Sequence, residues 1–334
     1  MMKFFVPSFS NDINVKPNQL PLKRKFQMKY LFLIFIMLNF TNVIQAIPRN
    51  DGAYKLKINL SGSLQNPAFS SDGQSIVFTR FRDGYNKGAA DLFIYNLKTK
   101  ALRPLISEGS SNISLPGSVW NNLTHSIVFS SDRGDHDEIF FISDKSNPGN
   151  EIQLTSRYNR QAYEPSFSPD GLWIVFESHK VDVENDGIIT KYNIYGNSGY
   201  LPLTAPENDC RQPNWSPKGD KILYQKQENG KWAIWTMDIN GGHNMRITIP
   251  QENSTDAVFS YDGQWIIYSS ENEDVEIANI YKISINGGLS TRLTIYKGYD
   301  GAPSISPNAK TLIFESSEGD PDESKGTSLW IMNL

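Results

Sequence analysis

"FSPDGLWIVF", residues 167–176, holds a turn and a strand in ten residues. Ser168-Pro169-Asp170-Gly171 puts Ser, Pro, Asp and Gly at the four positions of a type I turn that favour them. Ile174-Val175-Phe176 follows as a β-branched and aromatic run of the kind that packs on a pleated surface. The glycine is expected at positive φ, where any side chain costs about 1 kcal/mol.

The same wording recurs along the chain. Clear copies are Phe69-Ser-Ser-Asp-Gly73, Trp215-Ser-Pro-Lys-Gly219 and Phe259-Ser-Tyr-Asp-Gly263, and weaker ones are Trp120-Asn-Asn-Leu-Thr124 and Ile305-Ser-Pro-Asn-Ala309. The anchors at 69, 120, 167, 215, 259 and 305 are 51, 47, 48, 44 and 46 residues apart. An apolar triplet starts seven residues after every anchor, at Ile76, Ile127, Ile174, Ile222, Ile266 and Leu312. Farther on comes an aliphatic-aromatic pair: Leu92-Phe93, Ile139-Phe140, Ile194-Tyr195, Ile234-Trp235, Ile280-Tyr281 and Leu329-Trp330. An aliphatic-Thr pair then closes four of the units, at Thr155, Thr204, Thr248 and Thr294, with Leu105-Ile106 in that place in the first.

Each unit thus spells four short strands, and units of this length that cannot bury both faces alone stack into a β-propeller. The expected fold is all-β, a single six-bladed β-propeller over residues 47–334, with anchors and triplets packing blade on blade. Its sixth unit stops after "TSLWIMNL", residues 327–334, one strand short. "KLKINLSG", residues 55–62, ends in Leu60-Ser61, the wording of the absent strand. An N-terminal strand at about 55–60 is therefore expected to pair with residues 327–333, completing blade six and removing open strand edges. A ring closed at the last residue would leave the function to the propeller face.

Lys23, Arg24, Lys25 and Lys29 precede an apolar run from Tyr30 to Leu38, and Ala46 follows a more polar stretch. That order matches a secretory signal, with Met28 as an alternative start and cleavage near Ala46. The nine-residue run is short of the roughly 20 residues that span a bilayer, so no transmembrane segment is expected after cleavage. Residues 47–334 keep 26 Lys/Arg against 35 Asp/Glu, a net charge of −9. Such a surface repels phosphate backbones, so nucleic acid is not an expected partner. The lone Cys210 allows no internal disulfide.

The F-S-P-D-G turns, the I-x-F strands, "SSDRGDHDEIFFISD" (residues 130–144) and the terminal Leu-Thr pairs resemble the TolB-like, WD40-like propellers, over roughly residues 55–334. The resemblance implies a periplasmic or secreted protein of the cell envelope. Family members carry an α/β domain ahead of the propeller and partner an outer-membrane, peptidoglycan-binding lipoprotein. That leading domain is not expected here, because fewer than ten residues separate Ala46 from the first strand. Related propellers precede serine-peptidase domains, but no G-x-S-x-G elbow occurs, and peptidase activity is not expected.

No catalytic constellation stands out. His125, His136, His179 and His243 lie without ligand spacing and are expected in loops or at strand ends. Asp182, Glu184 and Asp186 in "DVENDG" imitate a calcium loop, but Asn193 stands where the bidentate Glu belongs. This stretch and "EGDPDES", residues 318–324, are expected to be solvated acidic hairpins. No cofactor or metal site is assigned, and calcium held by loops stays open. The innermost strands are more informative, because polar residues recur just ahead of Pro67, Pro165, Pro213 and Pro303. Gln65, Asn66, Tyr163, Glu164, Arg211, Gln212, Asp256 and Asp300 are expected to converge on one channel mouth as a binding site. The leading expectation is a non-catalytic propeller that binds a protein or peptide partner there. The alternative is a carbohydrate-active enzyme, a lyase or hydrolase, using acidic residues such as Glu164 and Asp256.

Overall fold

The computed structural model describes residues 49–334, apart from 115–118, 122, 158, 197–198, 273–274 and 318–325. The expected signal segment, 1–46, and the acidic hairpin 318–324 lie outside the described residues. Among the described residues are six antiparallel sheets, each packed on the next, with the sixth packed on the first. The domain is a six-bladed β-propeller.

Blade one comprises Ser63–Phe69, Ser75–Phe81, Ala90–Asn96 and Leu102–Ile106. In blade two the described parts of the innermost strand are Ile113–Ser114 and Trp120–Asn121, beside Ser126–Ser131, Glu138–Ser143 and Ile152–Gln153. Blade three holds Arg160–Phe167, Trp173–Lys180, Ile188–Asn193 and Tyr200–Pro202, and blade four Cys210–Trp215, Lys221–Glu228, Lys231–Asp238 and Met245–Arg246. Blade five holds Asn253–Phe259, Trp265–Asn272, Val275–Ser284 and Thr291–Arg292, and blade six Asp300–Ile305, Thr311–Ser316 and Ser328–Asn333.

The repeat residues have individual jobs. Ile76, Ile127, Ile174, Ile222, Ile266 and Leu312 are fully buried, and removing each such side chain from water contributes about 1.5–3 kcal/mol. All six anchors line one end of the central channel around a cavity of about 230 Å³, while Phe69, Phe167, Trp215 and Phe259 also join the cores between blades. Neighbouring blades are further tied by serines, Ser304 Oγ accepting from Phe69 N (3.2 Å) and Ser166 Oγ from Trp215 N (3.0 Å).

The turn serines work twice. Ser70 Oγ donates to Asp72 (2.6 Å) and accepts from Ser75 N (3.0 Å), while Gly73 N donates to Ser70 O (2.9 Å). The Ser70 bond holds the Asp72 carboxyl below its usual range. Gly73, Gly171, Gly219 and Gly263 have φ of 67, 69, 76 and 67°, and Ala309 takes 56° without the freedom of glycine. Blade two turns differently. Asn121 Oδ1 accepts from Leu123 N and Thr124 N, both at 2.9 Å, and positive φ passes to His125 (53°).

The aliphatic-Thr pairs also have a reason. Thr155, Thr204, Thr248 and Thr294 each accept, through Oγ1, a hydrogen bond from the third-strand N–H of Ile139, Ile189, Ile234 and Ile280, at 2.8–3.0 Å. The residue before each threonine donates its N–H to the carbonyl of the same isoleucine. This corrects blade three: its third-strand isoleucine is Ile189, whereas Ile194 lies beyond the strand and Tyr195 is exposed.

The N-terminal closure is present, shifted from its expected register. Tyr54 pairs with Ile331 and Lys55 with Trp330, and Leu56 N donates to Leu329 O at 2.8 Å. Leu56, not Leu60, therefore occupies the aliphatic position, with Lys57 in place of threonine. Leu60 N instead donates to Ile58 O within the connection to blade one.

Candidate site between blades three and four

Among the described residues, the innermost strands of five blades carry the same bulge. The register slips by one residue between Gln65 and Ala68, Tyr163 and Ser166, Arg211 and Asn214, Thr255 and Val258, and Gly301 and Ser304. One extra residue per strand re-aims the chain locally. It sits at Asn66, Glu164, Gln212, Asp256 and Ala302, with φ of 44–52°. These five residues surround a constriction of only about 20 Å³ in the channel.

The constriction is hydrogen-bonded from blade to blade. Gln212 Nε2 donates to Asp256 Oδ1 and Asp256 N to Gln212 Oε1, each at 3.0 Å, and Ala302 N reaches Asp256 Oδ2 at 3.5 Å. Burial raises the Asp256 carboxyl pKa against these bonds. Glu315 Oε2 accepts from Asn66 N (3.0 Å), and Tyr85 Oη donates to Glu315 Oε1 (3.1 Å). Burial, with Asp256 nearby, pushes the Glu315 pKa up to about 8.

Two expected mouth residues are placed elsewhere. Gln65 is buried and donates to Ser63 Oγ (2.9 Å). Asp300 is fully buried and grips Arg49 through both carboxylate oxygens at 2.8 Å, while Arg49 lies 3.9 Å from the Tyr296 ring centroid. Asp300 thus fastens the N-terminal segment to blade six.

Tyr163, Glu164, Arg211 and Gln212 do come together. They line a pocket of about 430 Å³ between blades three and four, with Glu177, His179, Glu184, Gln225 and Trp232. Tyr163 hydrogen-bonds the Asp137 carboxyl, whose pKa burial and Asp132 push up to about 6. The Tyr163 ring meets His179 edge-on at 5.8 Å. Glu177 Oε2 accepts from Gln212 N at 2.8 Å and Oε1 lies 3.0 Å from His179 Nε2. The Arg211 guanidinium forks onto Asp209, both bonds at 3.1 Å, and covers Trp232 at 5.1 Å.

His179 stands at a strand end as expected, but it is buried, and its Nδ1 lies 3.5 Å from Asp186. The "DVENDG" stretch is only partly solvated. Asp182 and Glu184 are exposed, but Asp186 is buried and accepts from Lys180 N. Gly187 is required by close approach: a Cβ there would meet Asp209 Oδ1 and Cys210 O at 2.7 Å. Sequence reasoning missed Glu177, Gln225 and Trp232. A signal for the first two existed, since both stand ten residues after their anchors, at the place of the equally buried Thr79, Ser130, Ser269 and Glu315. Among the described residues no group of three or more His, Cys, Asp or Glu is placed to hold a metal ion.

Residues 203–327 match the TolB beta propeller domain family. The chain is 30% identical over 206 residues to the Tol-Pal system protein TolB of Francisella tularensis, a match covering 59% of this chain and 45% of that protein. Crystal structures share the fold. TolB from Acinetobacter baumannii superposes with a TM-score of 0.62 at 17% identity, covering 79% of this chain and 64% of that one. Oligogalacturonate lyase from Vibrio parahaemolyticus gives 0.53 at 12%, covering 84% and 93%. The repeat motif, the six closed blades and these matches define a six-bladed β-propeller that is similar to the TolB-like propellers. The chain spans half or less of the length of the curated relatives it matches.

Proposed function

We propose that this protein is an exported, non-catalytic propeller of the cell envelope that binds a protein or peptide partner in the pocket between blades three and four. The observation carrying this reading is the pocket itself. It combines two aromatic side chains, Tyr163 and Trp232, with charged groups of both signs on a rigid two-blade support, and aromatic and arginine residues dominate binding hot spots. Residues 1–46 hold an N-terminal extension and the secretory signal in this reading, and the location is periplasmic or secreted. An envelope lipoprotein is the partner class suggested by the TolB likeness. Among the described residues no helix is long and apolar enough to cross a membrane.

The test is capture from envelope extracts with the wild-type chain and with Tyr163→Ala and Glu164→Lys variants. A partner retained by the wild type and lost from both variants supports the reading. No retained partner, or one indifferent to both substitutions, overturns it.

A second reading, a carbohydrate-active enzyme, draws on the fold shared with oligogalacturonate lyase and on Glu164, Glu177 and Glu184 in one pocket. The pair Glu164 and Asp256 suits it poorly, because both Asp256 oxygens already accept hydrogen bonds. Cleavage of acidic or neutral oligosaccharides that is abolished by Glu164→Gln would favour this second reading.

A further inference from the structure

The charges around the blade three and four pocket do not balance. Glu164, Glu177 and Glu184 line it, while the guanidinium of Arg211 is held by both oxygens of Asp209. His179 stands between Glu177 and Asp186, so two carboxylates face that ring as well. A second, independent feature points the same way. Gln225 is 5% exposed, and its buried Oε1 has no hydrogen-bond donor among the described residues. Buried acceptors of this kind are normally satisfied.

The fold puts these acceptors at one depth. Gln225 lies directly across from Arg211 in blade four, as Glu177 lies across from Tyr163 in blade three. A carbonyl and a carboxylate on adjacent blades thus stand level below the bulged residues. Acceptors on several sides and net negative charge fit a donor-rich cation and repel an anion. Tyr163 adds aromatic surface of the kind that guanidinium and ammonium groups favour, while Trp232 already carries the Arg211 guanidinium.

We infer that this pocket receives a cationic side chain, an arginine or lysine of the bound segment, through Glu164, Glu177, Glu184 and the Gln225 carbonyl. The inference rests on the partner-binding reading and names the chemistry of what enters the pocket.

The experiment titrates the whole chain calorimetrically with a capped Gly-Arg-Gly peptide and with the same peptide carrying neutral citrulline. Saturable binding of the arginine peptide is expected, with citrulline weaker by about tenfold or more, as for losing one charge-assisted hydrogen bond. Glu184→Gln, an exposed loop change, and Gln225→Met should each weaken the arginine peptide, by about threefold or more. Failure of the arginine peptide to bind, equal binding of citrulline, or full binding to folded Gln225→Met and Glu184→Gln chains would overturn the inference. A captured partner lost from Tyr163→Ala yet insensitive to citrulline in its bound segment would overturn it and leave the partner-binding reading standing. Absence of any captured partner removes that reading itself.

Discussion

Replacing Arg49 by alanine isolates the seam that closes the ring. The Arg49 side chain is 4% exposed, and its guanidinium bonds Asp300 twice at 2.8 Å and Asp51 at 2.5 and 3.2 Å, with Tyr296 stacked at 3.9 Å. The partner carboxylates are 0% and 2% exposed. Truncation therefore leaves two like charges buried without a counter-ion, and breaking a buried pair in this way costs about 3–5 kcal/mol. Loss of the ring contact adds to that. At roughly 2–4 °C per kcal/mol for a large domain, the melting temperature should fall by about 10 °C. Arg49→Lys keeps the charge without the planar fork and should fall between. Burial tends to raise the Asp51 pKa, but Arg49 and the N–H groups of Ile295 and Ala53 hold it below its usual range. Its contribution is thus present above the ordinary carboxylate pKa and is lost as acid approaches its folded value, so the Arg49→Ala deficit should shrink in acid. Thermal melts followed by far-UV circular dichroism read all of this. An Arg49→Ala chain melting within about 2 °C of the parent would refute the seam as a structural fastening, since that corresponds to less than about 1 kcal/mol.

The Glu315 carboxyl, raised by burial to about 8 from an ordinary value of 4.5, binds its proton more tightly in the folded state. Its contribution is complete below about pH 4.5 and is lost as pH rises through 8. Glu315→Gln, which mimics the protonated form, should flatten the decline in stability between pH 5 and 8 seen by denaturant titration. Thr248→Val removes the acceptor for Ile234 N and should cost about 1–3 kcal/mol in urea unfolding. Ala309→Gly relieves a φ of 56° and should stabilise the chain by up to about 1 kcal/mol in the same assay, whereas Gly73→Ala, at φ 67° and facing Pro307 Cδ at 3.3 Å, should destabilise it.

The blades were legible because local chemistry repeats: a turn held by a serine hydroxyl in every blade but the second, and a buried triplet at a fixed offset in all six. The seam was legible in kind but not in register. Leu60-Ser61 imitates the closing pair, yet Leu56 donates to Leu329, and only the backbone register distinguishes two leucines four residues apart. Ile194-Tyr195 misled for the same reason, since the length of the inserted hairpin decides which aliphatic residue enters the sheet. Of the polar residues expected at the mouth, Asn66, Glu164, Gln212 and Asp256 lie around the channel constriction. Periodicity could not show that a bulge places each at positive φ, or that Gln212 and Asp256 bond each other. Asp300 looked like its counterparts in sequence, but its environment is set by Arg49, 251 residues away. Glu177 and Gln225 escaped notice because a polar residue within an apolar strand declares its role only through the neighbouring blade.

The central claim is that partner binding occurs in the pocket between blades three and four. Hydrogen–deuterium exchange on the chain with and without its captured partner tests this directly. Protection should concentrate in Arg160–Phe167, Trp173–Lys180, residues 181–187 and Cys210–Trp215. Protection confined to the opposite channel end, around Ser70, Ser168, Ser216 and Ser260, or none in blades three and four, would contradict the account.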